Sequence, residues 1–248
     1  MELRPRTFPE AFLREVDTMA SAADILVLGE VHGQQETWRI VLGLMPRLTA
    51  LGYGALAIEI PCDQRTGLLD WAHGRTETPP PRFLKPAGEF RDGVGSVELL
   101  ACVRQVRSAP QPWDILCFDK ATDEPYETWT GRDATMARNL LAQRREHVPD
   151  RKILAVCGNM HSRIVPPTKH FLDLWPSFAF NLSRSEPSLR VATVNLIFRS
   201  GTFINGTEQP FLPPASPLTT DAEVRPDHEM GHTAEWHFPH ASPVTYLL

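Results

Sequence analysis

The sequence predicts an α/β fold: a mostly parallel central sheet flanked by helices, with an antiparallel extension from the C-terminal third. Three observations carry that expectation. Four short apolar runs recur through the first two-thirds of the chain, each of strand length. Segments of helical period separate them. The runs are apolar on both faces, as strands are when helix crossovers cover a parallel sheet above and below.

Taken in order, "PEAFLREVDTMASA" fits a short helix and "DILVLGE" the first strand. A strong amphipathic helix spans about Gln35 to Leu51, with Trp38, Val41, Leu42, Met45 and Leu48 at helical spacing. Gly52 and Gly54 stop it, and "ALAIEIP" makes the second strand. A helix near Asp63–His73 follows, with Asp63 as its cap. The stretch "TETPPPRFLKPAGEF" then breaks all periodicity, marking a lid-like surface loop over residues 76–91. "SVELLACVRQVRSA" is helical, "WDILCFDK" is the third strand, "GRDATMARNLLAQRRE" a patterned helix and "KILAVCGNMHS" the fourth strand. Beyond Pro166, "SFAFNLSR" and "LRVATVNLIFR" read as adjacent strands, and the tail 204–248 as proline-rich and irregular. The expected organisation is one domain over 1–248 with its core at about 24–162.

Composition narrows the function. A chain of 248 residues buries a sizeable core. Its formal net charge of -5 gives no basic footprint for nucleic acid. No apolar run reaches the roughly 18 residues that span a bilayer, and no membrane partner is expected. "MELRPRTFPEAFLREVD" interleaves charges with apolar residues, unlike a secretory signal. Cys62, Cys102, Cys117 and Cys157 are widely spaced without a CxxC pair, which argues against a disulfide framework or thiolate metal site. A reducing, cytoplasmic setting follows as the expectation. Oligomeric state is not legible.

All four strand runs end in ionisable groups: "LGEVHG", "IEIP", "FDK" and "CGNMH". In an open parallel sheet ligands bind at the carboxyl edge, so Glu30, His32, Glu59, Asp119 and His161 should converge on one rim. Each has a plainer role available. A single Asp such as Asp119 or Asp133 serves first as a helix cap. Glu59 resists the plain role best, because a charge within an apolar run must be paired, metal-bound or shifted in pKa. Gly29 to His32 and Gly158 to His161 are both G-x-x-H, each directly after a strand. Two such turns at equivalent positions strengthen the case.

"LGEVHG", "AIEIP", "GRDATMARNL" and "CGNMH" together resemble the superfamily that joins erythromycin esterases, ChaN-like haem-binding lipoproteins and the TraB and Tiki proteases. The resemblance covers about Asp24 to Ser162. It implies a ChaN/Tiki/erythromycin-esterase-like sheet and an active site of Glu30, His32, Glu59 and His161. Arg132 would lie beside it, orienting a carboxylate or binding an oxyanion, with Asp133 capping the helix. The first turn is one residue shorter than the esterase pattern, and the chain lacks the helical additions that enclose a macrolide, so the resemblance does not extend to macrolide inactivation.

These groups support two chemistries. His32, Glu59, His161 and Glu30 can bind a divalent metal (Zn, Mn, Co or Fe) that acidifies a water to a pKa near about 7. Alternatively one His serves as general base on water while a carboxylate fixes its tautomer. Either predicts a hydrolase acting on an ester, lactone or amide of a small-molecule or peptide substrate, or a tailoring enzyme running the related condensation, cyclisation or elimination. The rival class is a non-catalytic haem- or metal-binding protein. One more motif competes for attention. "RPDHEMGHTAEWHFPH" contains H-E-x-x-H at His228 to His232, the spelling of a zinc peptidase. Here it lacks an apolar stripe, ends near Pro239 and lies in a His-rich tail, so it reads as structural or as a rim over the crevice, with His237 or His240 touching substrate.

Overall fold

The computed structural model describes residues 2–80, 83, 95–125, 128–168, 172–205, 207–212, 217–227 and 229–246. Most of the lid-like stretch (81, 82 and 84–91) and His228 lie outside the described residues. The chain begins with α1 (Glu10–Ala22), β1 (Ile25–Glu30), α2 (Glu36–Ala50), β2 (Tyr53–Pro61), α3 (Arg65–Ala72), α4 (Val97–Ser108) and β3 (Asp114–Asp119). It continues through α5 (Trp129–His147), β4 (Lys152–Gly158), α6 (Phe178–Ser185) and β5 (Val191–Phe198). The hairpin strands β6 (Thr202–Asn205) and β7 (Thr207–Pro210) follow, then β8 (Glu223–Arg225) and β9 (Ala234–Phe238).

Seven strands form the main sheet in the order β3-β2-β4-β1-β5-β9-β8. All neighbours pair in parallel except β8, which runs antiparallel to β9. Strand periodicity sorts the core into two layers. Leu26 and Leu28 of β1, with Leu56, Ile58, Leu154 and Val156, pack against α1, α2 and α4. Ile25 and Val27, with Ala55, Ala57, Ile153 and Ala155, face Met136 and Leu140 of α5 and Phe178 and Leu182 of α6. The result is the predicted three-layer α/β arrangement.

The edge strand β3 explains the polar face of α5. An exposed edge leaves backbone groups unpaired. Gln143 accepts from the Cys117 N–H at 3.1 Å and donates to the Cys117 carbonyl, and Asn139 donates to the Asp119 carbonyl at 3.0 Å. Amides at helical spacing thus satisfy the β3 edge.

The C-terminal third differs from expectation. "SFAFNLSR" is the helix α6, not a strand: the Ser177 hydroxyl caps it by accepting from Phe180 N–H, and Phe178, Ala179 and Leu182 are buried on one side. β5 runs parallel to β1 at the heart of the sheet. The tail 204–248 is only partly irregular, since it supplies β8 and the sixth parallel strand, β9. The antiparallel extension is therefore β8, with the separate β6–β7 hairpin beside it. Asp63 does not cap α3. It accepts from Thr122 N–H at 2.9 Å, tying the loop after β2 to the loop after β3.

Candidate active site

The strand order places the candidate residues. β3, β2, β4 and β1 are consecutive neighbours, so Asp119, Glu59, the Gly158–His161 turn and the Glu30–His32 turn stand side by side at the carboxyl edge. The β2–β3 register slips between Ile58 and Pro61, a bulge around Glu59. Bulges re-aim side chains, and this one accompanies a carboxylate set within an otherwise apolar strand.

Glu30 and His32 form one half. The His32 ring holds Nδ1 at 3.1 Å from Glu30 Oε1 and Nε2 at 3.7 Å from Glu59 Oε2. Gln34 fixes the other oxygen, donating to Glu30 Oε2 at 3.2 Å, while its own carbonyl accepts from Thr37 N–H at 2.9 Å. The His32 side chain is 28% exposed, the most open among these groups. Gly158 makes room for it: a Cβ there would stand 2.8 Å from His32 Nε2.

Arg132 organises the other half. Its guanidinium donates to both oxygens of Asp119 at 2.9 and 2.8 Å, to Glu59 Oε1 at 2.6 Å and to His161 Nε2 at 3.0 Å. Gly158 N–H donates to Glu59 Oε2 at 2.8 Å. Burial pushes the Glu59 carboxyl up, but His161 and His32 in their protonated forms, Arg132 and that N–H outweigh it and hold Glu59 well below the usual carboxylate range. Burial likewise opposes the Arg132 charge, and Glu59 and Asp119 more than restore it. His161 is 2% exposed, with Nδ1 bonded to Asp133 and its face stacked on Trp129 at 4.5 Å and 5°. Burial raises the Asp133 pKa; the His161 bond only partly opposes it. With Nδ1–H donated to Asp133 and Nε2 accepting from Arg132, the His161 contacts are those of a neutral imidazole.

Glu30, His32, Glu59, Arg132 and His161 are thus linked by contacts of 3.7 Å or less. Asp119 joins them as a partner of Arg132. It does not cap a helix. Asp133 does not cap α5 either, because Thr128 does so by accepting from Gly131 N–H at 3.0 Å. Arg132 holds two carboxylates, Glu59 and Asp119, through Nε and Nη2, and reaches His161 through Nη1. The Trp129 stack had no signal in the sequence beyond its place three residues before Arg132. In the tail, residues 229–232 form no helix and Gly231 has φ +89°. His237 is bonded to Glu235 at 2.8 Å and Arg199 at 3.1 Å, and His240 lies 3.1 Å from the Ser200 hydroxyl.

The donor set does not fit a divalent ion. A metal needs several donors about 2.0–2.2 Å from one point. Here a guanidinium already stands between Glu59, Asp119 and His161, and Asp133 engages His161 Nδ1. Among the described residues no group of three or more His, Cys, Asp or Glu side chains could hold a metal ion. All four cysteines are free thiols, and burial pushes the Cys157 thiol, beside this site, well up.

No protein-family model matches the chain, and no curated protein matches it in sequence. Solved structures do match in shape. A Bacillus cereus protein superposes with a TM-score of 0.68 at 13% identity, covering 95% of this chain and 93% of its own. A succinoglycan biosynthesis protein gives 0.68 at 12% identity, over 97% and 93%. A mutant erythromycin esterase in its open conformation gives 0.64 at 11% identity, over 92% and 93%. The chain has the fold of that esterase. At such identities the likeness is one of fold, and the side chains above must carry the chemistry. No helix among the described residues is long and apolar enough to cross a membrane.

Proposed function

We propose that this chain is a hydrolase of an ester, lactone or amide in a small molecule or peptide, with His32 as general base and no metal in the reacting step. The observation that carries this is the setting of His32, the most exposed of the site's side chains, with a carboxylate near each ring nitrogen, at 3.1 and 3.7 Å. Glu30 accepts the Nδ1 proton and so keeps Nε2 as the basic atom. As Nε2 takes a proton from water attacking the carbonyl carbon, Glu30 and Glu59 stabilise the growing imidazolium. His32 then returns that proton to the leaving oxygen or nitrogen. Glu59 is kept ionised for this by Arg132 and Gly158 N–H. The same base could serve a cyclisation in which a substrate hydroxyl or amine replaces water. Four free thiols suit a reducing, cytoplasmic setting.

The test uses purified protein and p-nitrophenyl acetate, a panel of lactones and a peptide library, each with and without EDTA. Hydrolysis that survives chelation and disappears in His32→Asn is the expected result. A strong Soret band with no turnover in any assay overturns the proposal in favour of haem binding, and activity restored only by added divalent ion overturns its metal-free step.

A further inference from the structure

The tail motif has a place in the fold after all. His232 Nε2 lies 2.9 Å from the Ser162 hydroxyl and 3.1 Å from the Asn159 carbonyl, and Nδ1 lies 2.9 Å from Asp227 Oδ2. Aspartate, histidine and serine in this sequence of contacts suggest a nucleophile. Burial denies it: Ser162 is 0% exposed, and a Cβ on Gly29 would fall 2.0 Å from its Oγ. The Ser162 hydroxyl occupies the space that Gly29 leaves open, and no substrate reaches it.

We infer that Ser162, His232 and Asp227 are positioning residues, a buried network that locks both G-x-x-H turns against each other. The β4 turn is held at Asn159, whose carbonyl lies 3.1 Å from both the Ser162 Oγ and His232 Nε2, and whose N–H donates to the Glu30 carbonyl at 2.8 Å. That turn carries Gly158, which donates to Glu59, and His161, which meets Arg132. The β1 turn is held where Gly29 packs on Ser162, immediately before Glu30. The loop bearing His232 is itself fastened. Asp227 accepts from the N–H groups of Glu229, Met230 and His232 at 2.9, 2.8 and 2.6 Å. The Gly231 carbonyl accepts from Ile164 N–H at 2.7 Å, and a Cβ on Gly231 would lie 2.3 Å from the Val165 carbonyl oxygen. A segment some 70 residues away in sequence thus sets the geometry of the reacting edge without touching it.

The kinetic part of the test rests on the hydrolase proposal, so a readout independent of turnover accompanies it. Imidazole ¹H–¹⁵N NMR follows the His161 Nδ1–H, bonded to Asp133, in Ser162→Ala and His232→Ala, with His147 as the remote control. The expected result is a displaced or broadened His161 signal in both variants with His147 unchanged. Turnover of p-nitrophenyl acetate should fall roughly 10–100-fold in kcat with KM little altered, the scale set by a misplacement of about 1 Å. His232→Gln, which keeps a donor toward Asn159, should recover part of it. If His232→Ala does not fold, Ser162→Ala, a single-atom deletion, decides alone. His161 and His32 signals that overlay those of the wild type in Ser162→Ala overturn the inference. A wild type inert toward every ester, lactone and peptide sinks the hydrolase proposal, while the NMR comparison still decides whether the network positions the turns.

Discussion

Replacing Arg132 by Gln tests the logic of the site most directly. The substitution removes the cation between Glu59 and Asp119 and leaves two carboxylates, both largely buried, facing each other. Breaking a buried ion pair from one side costs about 3–5 kcal/mol, because the remaining charge keeps its desolvation penalty. For a chain near this length each kcal/mol lowers Tm by about 2–4 °C, so a fall of about 6–20 °C is expected. The pH dependence gives a sharper check. In the wild type the Glu59 pKa is held down, so its contribution is complete above the ordinary carboxylate pKa of about 4.3 and is lost as pH falls below that. In Arg132→Gln the same carboxyl loses its cation, its folded pKa rises, and protonation relieves the strain as pH falls. The second effect narrows the Tm gap on acidification from about pH 7 to pH 4, and the first adds to it below that. Differential scanning calorimetry across that range measures it, with Glu59→Gln/Arg132→Gln expected to lose less than the two single variants summed. A gap within 2 °C or so at pH 7, or one that widens in acid, would refute the assignment of Arg132 as the clamp on these carboxylates.

Four further outcomes follow from the same geometry. His32→Asn should keep the fold and lower kcat by roughly 10²–10⁴-fold, and Glu30→Gln less, as steady-state kinetics on the best ester would register. The wild-type rate should fall on the acid side as His32 takes up a proton, and Glu30→Gln should move that limb to lower pH, because the variant removes a negative charge 3.1 Å from the ring. Trp129→Phe should preserve the stack on His161, whereas Trp129→Ala should lower Tm by about 1–6 °C for the lost stack, worth about 0.5–1.5 kcal/mol, and further for the apolar area it uncovers. Gly158→Ala places a methyl 2.8 Å from His32 Nε2, so kcat should drop while circular dichroism and Tm stay near wild type.

How far the sequence could lead depended on where each signal lay. β1 to β4 were legible because both faces of each strand are covered, giving unbroken apolar runs with ionisable ends. α6 was not, since Phe178, Phe180 and Leu182 alternate with smaller or polar residues at the period of a strand; the decisive cue was the capping Ser177. β9 was hidden because Glu235 and His237 interrupt it and prolines flank its hairpin partner, so nothing local marks "AEWHF" as the neighbour of β5. In the site, Glu59 and the two histidines stood at strand ends and could be named. An Asp near the start of a helix carries the same local signal whether it caps or pairs, and only the fold shows that Thr128 took the cap and left Asp133 to His161. The Ser162 and His232 contact joins residues with no common spacing at all.

The charges of the site argue for proton transfer over anion binding. Glu30, Glu59, Asp119 and Asp133 surround one guanidinium, and with neutral imidazoles the balance is strongly negative. Such a site resists the approach of an anionic substrate. It favours any step that turns a histidine into imidazolium. With Arg132 held by Glu59 and Asp119, the proposed mechanism meets the negative charge on an attacked carbonyl oxygen with the positive charge gained in the same step. On that proposal the charge forms on His32, with Glu30 and Glu59 to hold it there. A metal ion would supply positive charge in advance; the proposed mechanism generates it by moving the proton itself.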